Sequence, residues 1–280
     1  QYVAAILGIA VVGNNKIKSQ RNLALHVDCH VCWKCGLHHW TITFLTCHPE
    51  PACSRQASFR VSLNDLYMIW LSDKIEFPPY ENASPEGIIA IGGDLSPERL
   101  MYAYGRGIFP WYSEEHPILW HSPPKRMVLF PDELKISKSM KQVLKKKEFI
   151  ITENQAFEEV IHHCKHIERK QEEGLEGTWI TDEMEQAYIQ LHKLGHAKSL
   201  EVWLDDKLVG GLYGVEVGDV FCGESMFSKV ANASKVAFIH LVQYNNYKLI
   251  DCQVYNDHLA SLGAREIDRE EFLKELKKEC

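Results

Sequence analysis

Residues 219–253 read as strand, helix, strand, and that order limits the folds open to this chain more than any other stretch. Two short apolar runs, Asp219-Val220-Phe221-Cys222-Gly223-Glu224-Ser225-Met226-Phe227 and Lys248-Leu249-Ile250-Asp251-Cys252-Gln253, have the length and composition of strands. Between them Asn232-Ala233-Ser234-Lys235 opens an apolar helix to Tyr244, with Asn or Ser expected as its cap. A strand that returns to its own sheet through a helix pairs in parallel by a right-handed crossover. That pairing brings Glu224, Asp251 and Gln253 near one another. Carboxylates at buried strand positions are costly unless something pairs with them, so these three residues are the candidate site.

The flanking sequence extends the sheet. Residues 199–204, 207–217 and 219–227 are three strands joined by Asp205-Asp206 and Gly218-Asp219 turns, an antiparallel meander. Three helices are expected before it. Ser137 caps one through Lys147, Asn154 caps another to about Arg169, and Thr181 caps a third that Gly195 ends. After residue 253 come a short helix near 259–262, a strand at 265–267 and a last helix from Arg269. Upstream, 88–94 is a strand running into a glycine turn, and Ser96-Pro97-Glu98 supplies a cap, a first-turn proline and a first-turn acid for a helix to Tyr104. Residues 108–112 and 118–124 read as aromatic loops, with Phe109 and Trp120 packed inside. Pro123-Pro124 marks a domain boundary near Lys125.

Residues 1–67 differ in character. They hold six of the 31 basic residues and three of the 38 acidic ones, no methionine, and five of the nine cysteines. Met68 directly precedes the orderly part, so the expectation is an upstream non-native or disordered extension, 1–67. The alternative is a metal module on Cys29, Cys32, Cys35, Cys47 and Cys53 with nearby histidines, although the spacing is not that of a zinc ribbon. The singly scattered Cys164, Cys222, Cys252 and Cys280 suit reduced thiols and a cytoplasmic setting. No apolar run reaches the roughly 18 residues of a membrane-spanning helix. Formal net charge is −7, which argues against generic nucleic-acid binding. Yet Lys135, Lys138, Lys141, Lys145, Lys146 and Lys147 fall within thirteen residues free of carboxylates. A basic face on an acidic protein suggests a specific polyanion. His162 and His166, spaced i, i+4, offer a metal pair without an evident third ligand.

Nine segments in order carry a recognisable pattern. They are Gly92-Gly93-Asp94-Leu95-Ser96, Arg106-Gly107-Ile108-Phe109-Pro110-Trp111, Gly177-Thr178-Trp179-Ile180, Leu194-Gly195-His196-Ala197, Glu201-Val202-Trp203, Val209-Gly210-Gly211-Leu212-Tyr213-Gly214, Phe221-Cys222-Gly223-Glu224-Ser225-Met226-Phe227, Leu249-Ile250-Asp251-Cys252-Gln253 and His258-Leu259-Ala260-Ser261-Leu262-Gly263-Ala264. Over about residues 70–275 the chain resembles the leucyl/phenylalanyl-tRNA-protein transferases; residues 1–67 have no counterpart in that pattern.

The resemblance implies an α/β (α+β) chain: a small N-terminal domain, 68–124, followed by an acetyltransferase-like mixed-sheet catalytic domain of the GNAT type, 125–280. It implies transfer of leucine, phenylalanine or less often methionine from charged tRNA to proteins with N-terminal Arg or Lys, marking them for N-end-rule degradation. The donor ester is already activated, so neither metal nor other cofactor is expected. By resemblance Gln253 accepts a hydrogen bond from the attacking amine, Asp251 polarises or orients Gln253, and Glu224 fixes the amine or the 3′ ribose. Leu212, Phe221 and Met226 match the donor pocket, and Trp111 and Trp203 match the aromatics that hold the 3′ adenosine. Lys138, Lys141, Lys145, Lys146 and Lys147 become the groove for tRNA phosphates, with no membrane role and a monomeric enzyme expected. Residues 243–248 are about three shorter than the family's usual connection, which predicts either a clipped helix end or a displaced strand, the latter marking an inactive copy. Competing readings are a coenzyme-A acyltransferase, for which no pyrophosphate cradle precedes the Ser234 helix, and a non-catalytic RNA-binding protein.

Overall fold

A computed structural model describes the backbone of residues 23–31 and 38–46, and residues 69–114, 116–167 and 180–277 with their side chains. The chain divides into two compact units, Gln1–Tyr67 and Met68–Cys280. In the first, β1 (Leu23–Val31) and β2 (His38–Thr46) pair antiparallel. The cysteine and histidine side chains considered there as metal ligands lie outside the described residues, as do Gly177-Thr178-Trp179.

The second unit holds two sheets. Strands β3 (Ile69–Leu71), β4 (Ile88–Gly92), β5 (Phe109–Pro110) and β6 (Leu119–His121) form the smaller one, in the order β3-β4-β6-β5. The 108–112 and 118–124 stretches, expected as loops, therefore contain paired strands, because Phe109 pairs with His121 and Pro110 with Trp120. Trp120 is fully buried and its indole N–H donates to the Gly92 carbonyl at 2.8 Å. Helix α1 (Pro97–Tyr104) starts as read, Ser96 accepting from the Arg99 N–H.

The chain crosses to the larger sheet at Ser122-Pro123-Pro124. It comprises β7 (Lys125–Leu129), β8 (Ile150–Glu153), β9 (Ala197–Leu204), β10 (Lys207–Val217), β11 (Val220–Ser228), β12 (Leu249–Gln253) and β13 (Arg265–Asp268), ordered β13-β7-β12-β11-β10-β9-β8. The meander β9-β10-β11 is antiparallel, and β11 pairs with β12 in parallel, with Cys222 opposite Asp251. Helix α5 (Ala233–Tyr244) ends at Tyr244 as read, and β12 follows five residues later, with Val220, Phe221 and Cys222 opposite Leu249, Ile250 and Asp251.

Five further helices surround this sheet: α2 (Lys138–Lys146), α3 (Phe157–His166), α4 (Asp182–Lys193), α6 (Asp257–Ala260) and α7 (Arg269–Lys277). Ser137 and Thr181 cap α2 and α4 through the N–H groups of Met140 and Met184. Asn154 does not cap α3. Its backbone is left-handed (φ 57°) and its side-chain oxygen accepts from the Ser199 N–H, so the helix begins only at Phe157. Asn232 is likewise left-handed and makes no capping bond, leaving α5 to start on apolar packing. Among the described residues no helix is long and apolar enough to cross a membrane, no third ligand joins His162 and His166, and Cys164, Cys222 and Cys252 form no disulfide.

Adjacent strand residues point to opposite faces, and Gly210-Gly211 uses this to bring helices close on both sides. A Cβ on Gly210 would lie 2.5 Å from the Ala233 Cβ of α5, and one on Gly211 would lie 3.2 Å from Val160 of α3. Gly210→Ala should therefore push α5 outward and cost about 1–3 kcal/mol, the usual range for overpacking. Urea denaturation of the variant beside wild type checks this; unchanged stability would mean that the helix shifts freely.

Candidate active site

Sheet pairing, not sequence proximity, assembles the polar centre. Glu224 on β11 and Gln253 on β12 are joined directly, the Gln253 Nε2 donating to Glu224 Oε1 at 2.6 Å. Asp251, two residues earlier on β12, lies fully buried. Its carboxylate does not touch the Gln253 side chain. Instead Asp251 Oδ1 accepts from the Gln253 backbone N–H at 2.9 Å, so the two residues are linked through the main chain.

Gln253 owes its direction to a bulge. The register of β12 against β7 slips between Asp251 and Gln253, which both find partners while Cys252 does not, and Gln253 takes the left-handed φ of 63°. A non-glycine residue there costs about 1–2 kcal/mol. Bulges re-aim side chains in this way, and here the amide turns onto Glu224. Because its nitrogen is committed to that carboxylate, the carbonyl end is the one left to accept a hydrogen bond from a substrate.

Three residues not singled out in the sequence complete the centre. Arg126 on β7 is 1% exposed and grips Asp251 with Nε and Nη2, at 2.8 and 2.6 Å. Phe109 and Phe272 place their rings 4.6 and 4.7 Å from the guanidinium carbon. Burial works against the Arg126 charge, but the Asp251 carboxylate outweighs it and holds the pKa above the usual arginine value. Tyr104 on α1 and Tyr188 on α4 donate to Glu224 Oε1 and Oε2 at 2.6 and 3.0 Å, and their hydroxyls stand 2.6 Å apart. Burial raises the Glu224 pKa to about 7, although the hydrogen bonds from Tyr104, Tyr188 and Gln253 pull it down.

This centre opens on a cavity of about 440 Å³. Leu212, Phe221 and Met226 line it as expected, with Phe238, Leu241 and Ile250 completing the apolar wall. Glu224, Asp251 and Gln253 form the polar end. Trp111 lines the cavity too, with 41% of its surface exposed, its carbonyl accepting from His121 Nε2 at 3.1 Å and its indole packed against that ring. Burial keeps His121 neutral, its pKa lowered to about 4. Trp203 sits on β9, outside the cavity lining, and its indole N–H donates to Thr152 Oγ1 on β8 at 2.8 Å. Lys138, Lys141, Lys145, Lys146 and Lys147 are all exposed on or beside α2, whose Met140, Val143 and Leu144 face the core.

A family model described as leucyl/phenylalanyl-tRNA protein transferase matches residues 128–277, and one for the N-terminal domain of the same family matches 93–124. The leucyl/phenylalanyl-tRNA–protein transferase of Flavobacterium johnsoniae is 62% identical over 213 residues, spanning 75% of this chain and 99% of that protein. Its namesakes from Flavobacterium psychrophilum and Christiangramia forsetii are 56% and 55% identical, covering 75% and 74% of this chain and 100% and 99% of theirs. With two models of one family matching 93–124 and 128–277, and 55–62% identity to relatives covered over nearly their full length, the chain belongs to the leucyl/phenylalanyl-tRNA protein transferase family.

Proposed function

We propose that this protein transfers leucine or phenylalanine, and less often methionine, from aminoacyl-tRNA to the N-terminal Arg or Lys of proteins, marking them for N-end-rule degradation. The observation that carries the reading is a cavity whose wall is apolar and whose polar end holds Gln253 and Glu224. An apolar donor side chain without a branch at Cβ fits that wall, and Met226 adds a pliable surface for side chains of different shape. Segment 68–124 supplies Tyr104 and Trp111, and 125–280 supplies the remaining site residues. A monomeric enzyme working in the cytoplasm, where charged tRNA is found, completes the reading.

In the reaction the acceptor α-ammonium gives up a proton, its nitrogen attacks the ester carbonyl carbon, and the bond from that carbon to the 3′ oxygen breaks. An amide forms and the 3′ hydroxyl leaves with one proton; a second proton goes to solvent. Gln253 accepts from the amine through its carbonyl oxygen and so aligns the nitrogen. Glu224, whose ionisation falls near neutral pH, takes the proton. Orientation of this kind recovers roughly 7–11 kcal/mol of barrier. Trp111 stacks on the 3′ adenosine, a contact worth about 1–3 kcal/mol.

The test is incubation of the full chain with radiolabelled leucyl-tRNA and a protein beginning with Arg. Label should enter RNase-resistant, acid-insoluble product, and its absence with every donor would reject the reading. The α2 lysines are assigned to acceptor-stem phosphates. Changing Lys138, Lys141, Lys145 and Lys146 together to alanine should flatten the plot of log Kd against log salt by about 3 in slope. An unaltered slope would place the tRNA elsewhere.

A further inference from the structure

We infer that Arg126 is a positioning residue of this site: by occupying both oxygens of Asp251 it withdraws that carboxylate from proton transfer and turns it into the anchor that holds Gln253 in its bulged conformation. This rests on the transferase reading given above. It divides the labour among three polar residues that the sequence leaves as one undifferentiated cluster.

The geometry supports the division on three counts. Asp251 Oδ2 accepts from Arg126 Nη2 at 2.6 Å, and Oδ1 is shared between Arg126 Nε at 2.8 Å and the Gln253 backbone N–H at 2.9 Å. A bidentate guanidinium contact fixes both position and plane of a carboxylate. Both oxygens of Asp251 are thereby engaged and the residue is fully buried, whereas Glu224 and Gln253, which border the same cavity, each keep 8% of their surface exposed. Second, the main-chain N–H held by Asp251 belongs to the residue with the left-handed φ. That bond is what opposes relaxation of Gln253 to an ordinary strand conformation. Third, the guanidinium is itself immobilised between the Phe109 and Phe272 rings, and its Nη1 donates to the Gly107 carbonyl at 3.3 Å. Arg126 therefore ties the segment carrying Trp111, the last helix and the Gln253 bulge to one point. The groups around it are consistent with a fixed anion at Asp251: Cys222, in hydrogen-bond contact with that carboxylate, is kept a neutral thiol by burial and by the Asp251 charge.

Arg126→Lys is the first test, because lysine keeps the charge and loses the two-pronged grip. The expected result is a fall in kcat of at least tenfold, with KM for leucyl-tRNA within twofold of wild type. Amide hydrogen exchange should show the Gln253 N–H opening at least tenfold faster, while the Leu100 N–H in the other sheet's helix keeps its protection. Should Arg126→Lys fail to fold, Phe272→Leu loosens the guanidinium without touching the ion pair and should move kcat and the Gln253 exchange in the same directions. A kcat loss with unchanged exchange at Gln253, or a rise in KM at constant kcat, overturns the inference. If wild type itself transfers nothing, the reading of function fails, and the exchange measurement still decides whether Arg126 holds the bulge.

Discussion

Replacing Asp251 with alanine should destabilise the protein by about 3–5 kcal/mol, because it strands the buried Arg126 charge without a partner. Arg126 is 1% exposed and sits between two aromatic rings, so water cannot readily replace the lost carboxylate. Adding Arg126→Met to Asp251→Ala removes the orphaned charge and should restore most of that stability, since an ion pair replaced by apolar groups is often neutral. Transfer should not return, because the Gln253 N–H has then lost the acceptor that fixes the bulge. Chemical denaturation of the two variants, with a leucine-transfer assay on each, checks both halves. A double variant that regains activity would show that Asp251 does nothing for Gln253.

The second large effect concerns Glu224. Burial raises its folded pKa to about 7 from an ordinary value of 4.5, so the neutral form is favoured in the folded protein. The sign follows. Its favourable contribution is complete below about pH 4.5 and is lost as pH rises through about 7, a change of about 3 kcal/mol. Tyr104, Tyr188, Asp251, Arg126 and Cys222 all face or influence this group. Glu224→Gln keeps the shape and removes the titration. Between pH 5 and pH 9 wild type should therefore lose about 3 kcal/mol relative to the variant. The wild-type transfer rate should rise with a midpoint near pH 7 as the carboxylate forms, and that limb should vanish in the variant. Parallel urea melts at the two pH values and a pH–rate profile measure these effects. Parallel stability curves for the two proteins would mean that Glu224 is not the group titrating.

Why some of this was legible in the sequence and some was not follows from how the contacts are made. The strand-helix-strand order of 219–253 was readable because hydrophobic period, strand length and crossover topology all point one way. The donor wall followed, since Leu212, Phe221 and Met226 lie on strands whose identity was clear. Arg126 was missed because it follows Pro123-Pro124-Lys125 in what reads as a linker, and its partner lies 125 residues away. One signal was present: a carboxylate on a buried strand demands a cation, and an arginine beside the apolar Met127-Val128-Leu129 run is a candidate. Tyr104 and Tyr188 looked like ordinary core aromatics of two helices, and nothing local aims both at Glu224. Asn154 was misread for a different reason. The same side chain suits a helix cap and a left-handed turn, and here the Ser199 N–H decides for the turn.

The ring of Phe272 against Arg126 has a consequence for biosynthesis. This residue belongs to α7, so the guanidinium cannot acquire its second aromatic cover until Phe272 has left the ribosome. The ion pair with Asp251 also waits on long-range pairing, which forms slowly because distant segments must first meet. A ribosome-stalled fragment ending before Phe272 would thus carry Glu224, Asp251 and Gln253 yet lack the shield of their cationic clamp, and catalytic competence should arrive abruptly, once Phe272 emerges, rather than growing with chain length.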